Sequence, residues 1–151
     1  MPQGRYDKLV EELLEKPCRV VDILPERVPA EAGERYFTVE KYFRRAERLG
    51  ELYRKFAEIL LKLNGYDDMS VSFDGGETWE TNPDPEDFAE RVTGLSGGAY
   101  LRVLFEARGV MIDLDAGDFY MAVFGAEKAL TDRLRKLSAA EGLFFRSPEG
   151  E

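Results

Sequence analysis

The chain contains no histidine. That absence excludes Ser-His-Asp and Cys-His catalytic machinery, histidine-bearing zinc sites and a histidine pH switch. Cysteine is nearly as scarce. The single Cys18 cannot close an internal disulfide, which fits a reducing cytosol, and its apolar neighbours in CRVVDIL predict a buried, unreactive thiol. No stretch approaches the ~20 consecutive apolar residues of a membrane span. The opening residues, MPQGRYDKLVEELLEK, are charged and amphipathic rather than a secretory leader. A phosphate loop is missing too, because LSGGA lacks the following Lys-Ser/Thr pair. Internal repeats, low-complexity tracts and linkers are absent. These gaps predict one cytoplasmic domain over residues 1–151, with no metal and no cofactor.

What is present supports a packed core. Apolar residues make up 44% of the 151 and aromatic residues 12%, and a chain of this length buries ~70% of its unfolded surface without disulfides or metals. Acidic residues number 30 and basic residues 21, giving a formal charge of −9 and a pI of about 4.7. Such a surface repels nucleic-acid phosphates and anionic membranes. It attracts a basic protein partner and speeds the encounter at low salt. A homodimer is left open.

Periodicity supplies the elements. Tyr6, Leu9, Val10 and Leu13 recur at helical spacing, and Pro17 closes that helix. CRVVDIL reads as a short buried strand, and Pro25 to Gly33 as an exposed loop. Thr38 is expected to cap a short helix, VEKYFRR. A longer helix carries Leu49, Leu52, Tyr53, Phe56, Ile59, Leu60 and Leu63 on one face, ended by Asn64-Gly65 as a left-handed cap. In TNPDPEDF, Asp84 is the expected N-cap, with Pro85 at the first helical position. Alternation over 99–124 then predicts three strands joined by turns at Arg108-Gly109 and Ala116-Gly117, a β-meander. Leu130, Leu134 and Leu137 mark a closing helix, Gly142 stops it, and LFF (143–145) makes a last strand. The fold class is α+β: an antiparallel meander sheet with α-helices packed on one face.

Residues Ser72 to Trp79 read SFDGGETW. Their pattern, Ser-x-Asp-x-Gly-x-Thr-Trp, resembles the Asp-box hairpin of sialidases and related β-propellers. That resemblance implies that Asp74 accepts hydrogen bonds from the turn, that Gly75 or Gly76 takes a positive φ, and that Trp79 packs beneath. The chain is too short for four blades of roughly 40–50 residues, and the motif occurs once. A structural turn is therefore expected, which Asp-Gly-Gly predicts on its own.

Chemistry is sought on the polar face of the meander. With a two-residue turn at Ala116-Gly117, Asp115 faces Asp118 and Asp113 faces Tyr120. Arg102 then lies opposite Asp113 or Asp115. Opposed like charges destabilise a sheet unless a metal, a basic ligand or Arg102 offsets them. Arg102, Asp113, Asp115, Asp118 and Tyr120 are thus the candidate binding residues. A calcium loop is not among the readings: Asp-x-Asp-x-Gly-Asp has the wrong order, and Phe124 stands where the bidentate Glu belongs. No catalytic residue is assigned.

The segments CRVVDILPERVP, FTVEKYF and AAEGLF resemble a group of small, uncharacterised bacterial proteins. That resemblance implies a bacterial cytoplasmic domain and no particular activity. The expected function is recognition of another protein, a basic one, as immunity proteins and inhibitors do. The alternative is a carboxylate-dependent hydrolase of a carbohydrate or other small molecule, because paired carboxylates suffice for glycoside chemistry.

Overall fold

A computed structural model describes residues 6–96 and 98–148. Their strands are β1 (Cys18–Asp22), β2 (Ser70–Ser72), β3 (Glu80–Thr81), β4 (Tyr100–Phe105), β5 (Val110–Asp115), β6 (Tyr120–Phe124) and β7 (Phe144–Arg146). All pair antiparallel in one open sheet of order β3-β2-β4-β5-β6-β1-β7. The α+β class stands, and β4-β5-β6 is the expected meander. The early strand β1 is inserted between β6 and β7, which closes the sheet with residues from both ends of the chain.

Among the described residues five helices accompany it: α1 (Asp7–Leu14), α2 (Gly33–Phe43), α3 (Ala46–Asn64), α4 (Pro85–Thr93) and α5 (Lys128–Ala140). The apolar stripe of α3 and Phe88, Val92, Leu130 and Leu134 of α4 and α5 pack on one sheet face. They meet Val21, Leu101, Val103, Ile112, Met121 and Val123 in the main core. The period of two in each strand sends the alternate residues to the other face. There α1 covers Leu104 and Met111 with Tyr6 and Leu13, joined by Trp79 and Phe124. The layer of α3, α4 and α5 is therefore on one face as expected, with α1 on the opposite one and α2 walling a cleft there.

Local chemistry explains most boundaries. The Asp84 side chain accepts from the Asp87 N–H at 3.0 Å, and Pro85 follows it at the start of α4. Three expectations are corrected. Thr38 is inside α2 rather than at its cap, and its hydroxyl donates to the Glu34 carbonyl one turn back. The helix starts earlier, at Gly33, directly after a 3-10 turn over Ala30–Ala32. Gly65 keeps a right-handed φ of −65°, because Asn64 spends its amide on the Asp67 carbonyl and the Asn82 side chain, which carry the chain onward. Cys18 is half-buried, not sealed in the core, since it lies on the second face of β1. No described helix is long and apolar enough to cross a membrane.

Candidate functional site

The register of the meander decides which polar groups meet. Phe105 pairs with Val110, so Arg102 is opposite Asp113 and Tyr100 opposite Asp115. Arg102 grips Asp113 with two hydrogen bonds, Nε to Oδ1 and Nη2 to Oδ2, both 3.0 Å. The Tyr100 hydroxyl donates to the same carboxylate at 2.6 Å and accepts from Arg102 Nη2 at 2.9 Å. Asp113 is only 7% exposed. Burial and the adjacent Asp113 push the Tyr100 phenol up to about 12, so it stays a hydrogen-bond donor. This is a closed network with its charges already matched, a structural brace between β4 and β5.

The second turn is wider than expected. Asp113 pairs with Ala122 rather than facing Tyr120, and four residues, 116–119, connect the strands. Asp115 therefore does not face Asp118 across a two-residue turn. The physical reason is a pair of outside anchors. The buried Tyr53 hydroxyl accepts from Gly117 N–H and donates to the Asp118 carbonyl, and Arg44 Nη1 donates to the Gly117 carbonyl at 2.8 Å. Gly117 supplies the positive φ of 101° that this bend needs. Of the five candidate residues, Arg102 and Asp113 are brought together. Asp118 and Tyr120 form a second group beside one another, and Asp115 is exposed at the strand end.

Asp118 and Tyr120 border a cleft of about 520 Å³ on the second sheet face, at its β6-β1-β7 end. One row of cross-strand partners runs Ser72, Arg102, Asp113, Ala122, Val20 and Arg146. Ala122 and Val20 are its small apolar gap, and they floor the cleft. Tyr36 and Glu40 of α2 and Arg44 at its C-cap, spaced four apart, form a wall. At the far end Arg146 bonds the Asp22 carboxylate, the Leu24 carbonyl at 3.0 Å and the Ser147 carbonyl at 2.8 Å. Burial and then Asp115 raise the Asp118 carboxyl from its ordinary value, and burial and then Asp118 raise Tyr120.

Sequence reading did not single out Asp22, Tyr36, Arg44 or Arg146. Asp22 was within reach: in CRVVDIL, Cys18, Val20 and Asp22 alternate with Arg19, Val21 and Ile23, the signature of a strand with two different faces. Arg146 pairs with a residue 124 positions away, and no local pattern encodes that.

The SFDGGETW hairpin is a rigid local knot. Asp74 Oδ1 accepts from the Glu77 and Thr78 N–H groups at 3.1 and 3.0 Å, and Oδ2 accepts from the Thr78 hydroxyl at 2.6 Å. Gly75 and Gly76 have φ of 78° and 92°. Trp79 Nε1 donates to the Gly76 carbonyl, and the indole packs edge-on against Tyr6 with centroids 4.9 Å apart. These bonds, Thr78 first, lower the Asp74 carboxyl to about 2.

That knot sits in the most acidic part of the molecule. Residues 67–90 hold nine carboxylates and no Lys or Arg, leaving 21 of each sign in the rest. The whole net charge thus falls on β2, β3 and the start of α4, at one end of the sheet. Among the described residues, ion pairs engage Asp67 with Arg108, and Glu80 and Asp87 with Arg91. Glu77, Glu86 and Glu90 are exposed and make no ion pair among the described residues. No family model, curated protein or solved structure matches the chain.

Proposed function

We propose that this protein is a recognition module for a basic protein partner, immunity- or inhibitor-like in kind, and that the partner docks on the β2–β3 end of the sheet. One observation carries the reading: the entire net charge of −9 is confined to residues 67–90. A concentrated field steers an oppositely charged partner more effectively than the same charge spread over the surface. The hairpin bonds hold the acidic loop in place before binding, which lowers the ordering cost of association. The Asp113, Asp115 and Asp118 face suits this role less, because Arg102 neutralises Asp113. The single cysteine fits work in the reducing cytoplasm.

A carboxylate-dependent hydrolase has less support. It would need a second carboxylate poised across the cleft from Asp118. Asp22 and Glu40, which line the same cleft, are held by Arg146 and Arg44.

The test begins with capture of a partner from native cell extract by the tagged protein. Its association rate is then measured from low salt to above ~0.15 M, where the Debye length is about 8 Å. The rate is expected to fall steeply. Glu77→Gln, Glu86→Gln and Glu90→Gln combined should slow association with melting unchanged, since none of the three side chains braces the fold. A rate indifferent to both salt and the triple substitution removes the acidic end as the docking surface.

A further inference from the structure

We propose that the cleft between α2 and the β6-β1-β7 end of the sheet binds a small organic cation, an amine or guanidine on an apolar body. The site is independent of the acidic end: five strand spacings separate β1 from β3, roughly 24 Å. Its volume of about 520 Å³ suits a small molecule, for which clefts of about 300–1,000 Å³ are usual.

The chemistry follows from what is already spent. Arg146 is committed to Asp22 and to backbone carbonyls. Arg44 is committed to Glu40 at 3.1 Å and to the Gly117 carbonyl. Glu26 and Arg27 stand side by side on the exposed rim and offset one another. What remains over the Val20–Ala122 floor is the Asp118 carboxylate, with Tyr120 beside it and no ion pair among the described residues. An anion entering here meets that charge; a cation neutralises it.

Two further features favour a cation. Tyr36 and Tyr120 provide aromatic walls from α2 and β6, and phenol rings attract cations through their π faces. The cleft already demonstrates the arrangement internally, with the Arg44 guanidinium 4.8 Å from the centre of the Phe119 ring. Asp118, Tyr120 and Tyr36 are all harder to ionise than usual, through burial and through neighbouring carboxylates. Of these only Asp118 carries charge at neutral pH, and a bound positive charge stabilises that ionised form, whereas a neutral or anionic ligand does not.

Three probes of one shape separate the classes: benzylamine, benzyl alcohol and benzoate, titrated into the 15N-labelled full chain at low salt. Benzylamine should give saturable amide shifts at residues 18–22, 118–122 and α2, with the other two silent there. Agmatine and a Gly-Arg-Gly peptide then tell a free cation from an arginine side chain; binding of either supports the assignment. Asp118→Asn should weaken benzylamine about tenfold or more, the loss of one charge-assisted contact. Ala122→Leu, which fills the floor without touching a charge, should abolish binding. Both variants are checked for intact melting, and they fail independently of one another. Benzoate or benzyl alcohol binding as tightly as benzylamine, saturation by none of the cations, or affinity untouched by both substitutions would each overturn the assignment.

Discussion

The Tyr53 hydroxyl bridges the β5–β6 turn through Gly117, accepting its N–H at 2.7 Å while donating to the next carbonyl, that of Asp118, at 2.8 Å. Tyr53 is fully buried on α3, so one side chain ties the main helix to the loop that shapes the cleft. Its phenol is harder to ionise because of that burial. Tyr53→Phe keeps the ring and removes both bonds, leaving two backbone groups to find water or go unpaired. The expected loss is about 1–3 kcal/mol, read by urea denaturation. Faster hydrogen exchange at Gly117 than at strand amides should accompany it.

Two glycines predict unequal costs. Gly125 has a φ of 87°, and a Cβ there would lie 2.5 Å from the Gly109 carbonyl oxygen. Gly109 has a φ of 66° with open space around it. Gly109→Ala should therefore cost only the left-handed backbone penalty, about 1–2 kcal/mol. Gly125→Ala adds a collision with backbone that cannot swing aside, and should cost clearly more. Equal destabilisation of the two in chemical denaturation would contradict the close approach of these turns.

The meander was legible because each strand has two unlike faces, so Leu101, Val103 and Ile112 advertise the core by alternation. Capping at Asp84 and the bends at Gly75 and Gly76 were legible for a similar reason: their chemistry is local. What escaped was set by contacts distant in sequence. The width of the 116–119 turn depends on Tyr53 and Arg44, more than 60 residues away. The position of β1 between β6 and β7 depends on pairings with strands about a hundred residues or more further along the chain. The Arg102–Asp113 pair was half legible, since the face was clear and the register waited on the first turn.

Asp74 makes a prediction in acid. Its carboxyl is lowered from 3.8 to about 2, so ionised Asp74 favours the fold. That contribution is present above the unfolded value and is lost as the pH falls through about 2. At neutral pH Asp74→Ala should lower stability by ~1 kcal/mol, an ordinary local hydrogen-bond loss for an exposed group. The gap between wild type and variant should narrow between pH 4 and pH 2. A gap that stays constant over that range would mean the hydroxyl and amide bonds to Asp74 do not depend on its charge.

Asp118 predicts the opposite sign. Its pKa is raised above 3.8 by burial and then by Asp115, while Arg44 and the Tyr120 hydroxyl oppose the rise. These groups face it from β5, α2 and β6. For a carboxyl raised on folding, the stability contribution is complete below the unfolded value and is lost as the pH rises through the folded one. At pH 7 the ionised Asp118 therefore works against the fold. Asp118→Asn keeps the side chain's shape and removes the charge, so its melting temperature should exceed that of wild type at pH 7. The two should converge at about pH 2.5, more than a unit below the unfolded value of 3.8, where both side chains are neutral. Differential scanning calorimetry at the two pH values decides it, and an advantage that persists unchanged in acid would assign the gain to something other than charge. A variant that melts higher and yet loses benzylamine would show that the fold carries an unfavourable charge in the cleft, where a bound cation offsets it.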